Sequence, residues 1–207
     1  MYARSTTIMA APTSIDDGIT NLRDRVMPAL MDLPGCIGLS LLVDRESGRC
    51  IATTSWESAE TMRSSSATVQ QLREQGTMAF GGMIEGVQEW EIGLLHRAHE
   101  TRPGSWARVT WLRGEPGTVD AGLALIRDSV LPQLEQLDGF CSASAMVDRS
   151  TGRLVGAFAF DSREAVERSR DTATRVRTAT AGSLGAQIED VHEFELALAH
   201  LRVPELV

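Results

Sequence analysis

Lysine is absent from this chain, so all 20 basic residues are arginine, and 28 carboxylates leave a formal net charge of −8. Sequence-independent binding of nucleic acid needs a basic field, and this balance excludes it as the main role. Cysteine is scarce: Cys36, Cys50 and Cys141 include no CxxC pair. That rules out a disulfide framework and the usual zinc spacings, and it suits a reducing cytoplasm. We therefore expect a cytoplasmic protein with no metal. No apolar run approaches the roughly 18 residues of a membrane span, and the N-terminus has no charged-then-apolar secretory pattern, so no membrane partner is expected. Glycine-rich phosphate loops, nucleophile elbows and Ser/His/Asp spacings are also missing.

What the chain does have, it has twice. At an offset of 104, Val43-Asp44-Arg45 falls on Val147-Asp148-Arg149, Gly48-Arg49 on Gly152-Arg153, and Ile84-Glu85 on Ile188-Glu189. Residues 3–96 match 107–200 without insertion or deletion, about a third of them identically. Solenoid repeats run to about 20–50 residues, so a period of this length is a whole small domain. With 43% apolar residues, each half can build its own core. We expect one repeat over 1–97, a linker over 98–106 and a second repeat over 107–207.

Each half opens with a β-rich stretch, 3–11 and 107–114. A helical stripe follows at spacings of 3 and 4: Ile15, Ile19, Leu22, Val26, Leu30, Leu33, and Val119, Leu123, Ile126, Val130, Leu134, Leu137. Ser14 and Thr118 stand where N-caps belong, Pro28 and Pro132 predict a kink or a shortened last turn, and Gly35 and Gly139 predict helix ends. Hairpins follow over 37–56 and 141–160, with Gly48 and Gly152 supplying positive φ. A second helix starts near Ser58 or Ser162, where Asp161 and Glu164 have capping-box spacing. A last strand runs over 84–95 and 188–199. The order β-α-β-β-α-β is an α+β, ferredoxin-like unit found twice, packing sheet to sheet as an intramolecular barrel.

Val26-Met27-Pro28-Ala29-Leu30 through Leu33-Pro34-Gly35, with its echo Val130-Leu131-Pro132 through Leu137-Asp138-Gly139, resembles the antibiotic biosynthesis monooxygenase family. So does Trp56-Glu57-Ser58-Ala59-Glu60, echoed as Phe160-Asp161-Ser162-Arg163-Glu164. The resemblance implies a dimeric α+β barrel, some of whose members oxygenate polycyclic aromatics without a cofactor. A haem-degrading branch has an Asn in its first strand and a His in its second helix. Here the first strands offer Thr6-Thr7 and Thr110-Trp111, and 57–83 and 161–187 hold no histidine, so haem degradation is disfavoured.

Aromatics recur at matched places: Trp56 with Phe160, and Trp90 with Phe194. Trp111 and Phe158 are added in the second half. These six are the expected walls of a pocket for a flat apolar ligand, made polar by an indole N–H. The last strands put Glu85, Glu89 and Glu91, and Glu189, Glu193 and Glu195, on one side, facing Arg4 and Arg108 of the first strands. An Arg–Glu ladder is the plain reading of that pattern. The catalytic candidates are Arg4 and Arg108, as stabilisers of an anionic substrate, and Trp56. His96 and His99 sit in a strand end and linker with no further ligand apparent, and the arginines at 163, 168, 170, 175 and 177 read as a solvated helix surface. The expected function is a cofactor-independent monooxygenase acting on a small aromatic or polyketide-like compound. The alternative is a non-catalytic binder or sensor of an apolar small molecule, in either case open to homo-oligomerisation.

Overall fold

The computed structural model describes residues 1–99 and 101–206. Glu100, in the expected linker, and Val207, at the end of the expected second repeat, lie outside the described residues. Among the described residues eight strands form: β1 (Tyr2–Met9), β2 (Cys36–Val43), β3 (Arg49–Trp56), β4 (Met83–Arg97), β5 (Trp106–Arg113), β6 (Phe140–Asp148), β7 (Arg153–Phe160) and β8 (Gln187–Leu201). The helices are α1 (Ile15–Asn21), α2 (Met27–Met31), α3 (Ala59–Ser64), α4 (Ser66–Ala79), α5 (Val119–Leu125), α6 (Leu131–Leu134), α7 (Arg163–Arg168) and α8 (Arg170–Leu184). Hydrogen-bonded strand neighbours follow the order β1-β3-β2-β8-β5-β7-β6-β4, which closes on itself as the α+β barrel expected of two ferredoxin-like units. Contacts divide the chain into Met1–Trp90 with Leu196–Val203 (unit 1), and Glu91–Glu195 with Pro204–Val207 (unit 2).

In unit 1, β3 pairs antiparallel with both β1 and β2; in unit 2, β7 does the same with β5 and β6. Period-2 alternation turns Leu39, Leu41 and Val43 of β2 inward, fully buried. Ile15, Leu22, Val26 and Leu30 close over that face together with Trp56 and Phe80. Unit 2 repeats the layer with Val119, Ile126, Val130 and Leu134 on Phe140, Phe160 and Val147. Each such side chain contributes about 1.5–3 kcal/mol of burial.

At the prolines the structure has a widened turn, where a kink or a shortened last turn was expected. A π-helical turn, Leu22–Val26, precedes Pro28, and a second, Ile126–Val130, precedes Pro132. Proline lacks an N–H and its ring crowds the carbonyl four residues back, and the wider turn accommodates both. Three local expectations need correction. Ser14 makes no side-chain cap, and a 3-10 turn, Pro12–Ser14, enters the helix instead; Thr118 likewise gives its hydroxyl to Glu115 O. The helices end at Met31 and Leu134, so Gly35 and Gly139, at φ +74° and +81°, shape the turns into β2 and β6 rather than capping. The N-cap near 162 is Ser162, not Asp161.

Ser58 caps α3 with a reciprocal box to Thr61, and Ser162 Oγ accepts from Ala165 N at 3.2 Å. Ser162→Ala is expected to cost about 1 kcal/mol in a urea-unfolding measurement, since it leaves that N–H without its acceptor.

Candidate functional site

Each unit holds a cavity between its first strand, its first helical stripe and its second long helix. In unit 1, alternation along β1 aims Arg4, Thr6 and Ile8 at one face, and Leu22, Val26 and Leu30 come down from the helices. From the other side α4 presents Val69, Leu72, Arg73, Gly76 and Thr77, spaced for a single helical face. The cavity measures about 40 Å³, room for a few water molecules.

Arg4 is 3% exposed. Its Nη2 donates to Met62 O (2.9 Å), Ser66 Oγ (2.9 Å) and Glu89 Oε1 (2.7 Å), and its Nε donates to Glu89 Oε1 at 3.1 Å. Nη1 is buried with no acceptor among the described residues, and so are Arg73 Nε and Thr77 Oγ1. Burial holds the Arg73 guanidinium below its ordinary pKa, and the like charge on Arg4 adds to the shift. This corner of an otherwise aliphatic cavity thus holds donors that the protein does not satisfy.

Unit 2 carries the matching cavity, about 50 Å³, lined by Arg108, Thr110, Val130, Phe158, Val176 and Arg177 among others. Here the guanidinium is satisfied. Arg108 Nη1 donates to Ser169 Oγ (2.8 Å), Nη2 to Val166 O and Glu193 (2.7 Å each), and Nε to Glu193 at 3.1 Å. Glu193 also accepts from Arg170 at 2.9 Å, where unit 1 has Ser66. Burial works to raise the Glu193 pKa, but the hydrogen bonds from Arg108 and Arg170 outweigh it and hold the carboxyl below its ordinary value. The place of Thr54 is taken by Phe158, whose ring leans over Gly156 where unit 1 has Ala52. A surface groove of about 270 Å³ between Leu125–Gln133 and α8 shares Val130, Val176 and Thr180 with this cavity.

The structure places the six expected wall aromatics differently from the sequence reading. Phe158 lines a cavity. Trp56, Phe160 and Phe194 are fully packed, Phe160 edge-on against Phe140. Trp111 packs edge-on against Phe194 at 6.5 Å. Two of the three indole N–H groups are already bonded within the protein: Trp56 Nε1 to Thr54 Oγ1 (3.0 Å) and Trp90 Nε1 to Ser5 Oγ (2.8 Å). Apart from Phe158, the large rings fill the core, and the apolar cavity walls are aliphatic. Of the catalytic candidates, Arg4 and Arg108 line the cavities and Trp56 does not. The carboxylates of the last strands form the ladder: Glu89 with Arg4, Glu193 with Arg108, Glu189 with Arg113 and Arg153, and Glu91 with Arg149.

Arg73, Thr77 and Arg177 escaped the sequence reading. Arg163, Arg168, Arg170 and Arg175 are exposed as expected, but Arg177 is half-buried and lines the cavity. A usable signal existed: Arg73 and Arg177 coincide at the 104-residue offset in a helix whose other positions mostly differ.

No protein-family model matches the chain. It is 53% identical over 208 residues to the uncharacterized protein Rv2558 of Mycobacterium tuberculosis, covering 100% of this chain and 88% of the relative. Among solved structures it superposes on an anthrone oxidase-like protein with a TM-score of 0.69 at 14% identity, covering 99% of this chain and 95% of the other. A Listeria monocytogenes ferredoxin-fold protein related to antibiotic biosynthesis monooxygenases aligns with a TM-score of 0.54 at 9% identity, over 95% of each chain. No helix among the described residues is long and apolar enough to cross a membrane. The chain belongs to the family of the mycobacterial protein Rv2558, on the ferredoxin-like fold that antibiotic biosynthesis monooxygenase relatives share.

Proposed function

We propose that unit 1 binds a small apolar molecule through an anionic oxygen: a carboxylate, a phenolate or an enolate. One observation carries this reading: Arg4 Nη1, Arg73 Nε and Thr77 Oγ1 are buried donors without acceptors on one aliphatic cavity. Each such donor costs about 1–3 kcal/mol, more when charged, and an incoming anionic acceptor recovers it. A ligand body larger than a few waters must displace α4. That helix buries little apolar surface, chiefly Val69, and so opens at low cost.

A second reading is cofactor-independent oxygenation, favoured by the likeness to the anthrone oxidase-like protein. A guanidinium at the bound oxygen stabilises the electron-rich anion that reacts with dioxygen. The methylene carbon of an anthrone takes one oxygen atom as a carbonyl, and the other atom leaves as water. Arg4 and Arg73 hold the anion, and the aliphatic walls exclude water.

Calorimetric titration with 2-naphthoate and 2-naphthamide tests the binding reading. Wild type is expected to prefer the carboxylate at least about tenfold, as charge-assisted bonds imply. Arg73→Met should erase that preference and Thr77→Val should reduce it, neither lowering the thermal midpoint, since each removes an unsatisfied buried donor. Equal affinity for the two ligands, or full preference retained in Arg73→Met, would refute it. Oxygen consumption with 1,8-dihydroxyanthrone then separates enzyme from binder.

A further inference from the structure

We propose that His99, Cys141 and Asp161 of unit 2 form a zinc site with a fourth position open to solvent. It does not depend on the cavity reading. The ligand atoms of the three residues lie within 4.8 Å of one another. His99 Nε2 is 2.9 Å from Asp161 Oδ1, and Cys141 Sγ donates to the same oxygen at 3.1 Å. Ligands on tetrahedral zinc, at about 2.0–2.3 Å from the metal, stand roughly 3.3–3.8 Å apart, so the His99–Asp161 and Cys141–Asp161 separations each widen by about half an ångström to admit the metal. Nitrogen, thiolate and carboxylate are zinc's usual donors, and three protein ligands with one open position is the arrangement of a reactive rather than a closed site.

The main chain already holds the three residues in place. Ala98 N and His99 N donate to Cys141 O at 2.9 and 3.3 Å, and Asp161 N donates to Gly139 O at 2.8 Å. The duplication shows that the fold itself does not need this chemistry. Unit 1 makes the equivalent backbone bond, Arg202 N to Ile37 O at 2.9 Å. At the positions matching His99, Cys141 and Asp161 it carries Val203, Ile37 and Glu57. Apolar side chains thus occupy in one copy two of the places where the other gathers ligands. Cys141 is buried while His99 and Asp161 reach the surface, so the thiol is screened and the metal keeps an entry path. Coordination forms a zinc–sulfur bond and releases the thiol proton to solvent.

Titration of the full chain with Co²⁺, a spectroscopic stand-in for zinc, followed by competition with Zn²⁺, tests the site. A thiolate-to-cobalt charge-transfer band is expected in the near ultraviolet, saturating at one metal per chain and bleached by zinc. Cys141→Ser should abolish the band, and His99→Ala, at a half-exposed position that folding tolerates, should weaken zinc binding at least about 100-fold. Cys36→Ser should leave both readouts unchanged. Absence of the band from the wild-type protein, or a band that survives Cys141→Ser, would overturn the proposal.

Discussion

Arg108→Met is expected to destabilise the protein by about 3 kcal/mol, the low end of the range found when one member of a buried ion pair is removed, because Glu193 is 24% exposed and keeps Arg170. Arg108 is 3% exposed and serves Glu193, Val166 O and Ser169 Oγ together. The substitution takes one donor from each of the three, leaving Val166 O with Ser169 Oγ and Glu193 with Arg170. Arg4→Met in unit 1 should cost about 1–2 kcal/mol less, because it also deletes the unsatisfied Nη1, and an orphan buried donor carries a penalty of about that size. Urea midpoints for the two variants at unchanged denaturant slope measure the difference. The pH dependence has a definite sign. The Glu193 pKa is depressed in the folded state by its two arginines, so this contribution is present above the unfolded-state value. It is lost as pH falls through the lower folded-state value. The gap between wild type and Arg108→Met should therefore narrow in acid. Equal losses for Arg4→Met and Arg108→Met would show that the two guanidinium sites are equivalent, contrary to the asymmetry described above.

Gly152→Ala and Gly48→Ala are each expected to cost about 2–4 kcal/mol, combining a left-handed backbone with overpacking. Gly152 has φ +70°, and a Cβ there would stand 2.1 Å from Gly114 O; Gly48 has φ +80°, and its Cβ would stand 2.3 Å from Ala10 O. Both obstacles are backbone, which cannot swing aside. The same glycines dock their hairpins on the end of the first strand, Gly114 N to Gly152 O at 2.9 Å and Ala10 N to Gly48 O at 2.8 Å. Gly185→Ala provides the control: its φ is +60° but nothing lies within 4 Å of the added carbon, so only the conformational cost of about 1 kcal/mol applies. Thermal or urea unfolding of the three variants should rank Gly152 and Gly48 well above Gly185.

The two hairpins were legible in the sequence because Asp44 through Gly48 repeats as Asp148 through Gly152, and a turn depends on its own few residues. The buried helical stripes were legible for a related reason: periodicity reports which side of an element leaves water, and Leu22, Val26 and Leu30 do so as spaced. The Arg–Glu ladder followed from alternation plus the neighbour relation of first and last strand. Cap positions were less legible, since Ser14 and Ser58 look alike in sequence and only Ser58 meets a reciprocating Thr61.

Sequence alone determined the duplication, the order of elements, the inward faces and the presence of Arg4 and Arg108 on the first strands. Tertiary structure decided which donors remain without partners. It gave Trp56 N–H to Thr54, turned Arg73 under α4, satisfied Arg108 but not Arg4, and drew His99, Cys141 and Asp161 from three separate segments to one point. Burial of a face is a property of local spacing. Satisfaction of a hydrogen bond depends on which distant groups arrive within about 3 Å, and no pattern along one strand or helix contains that distance.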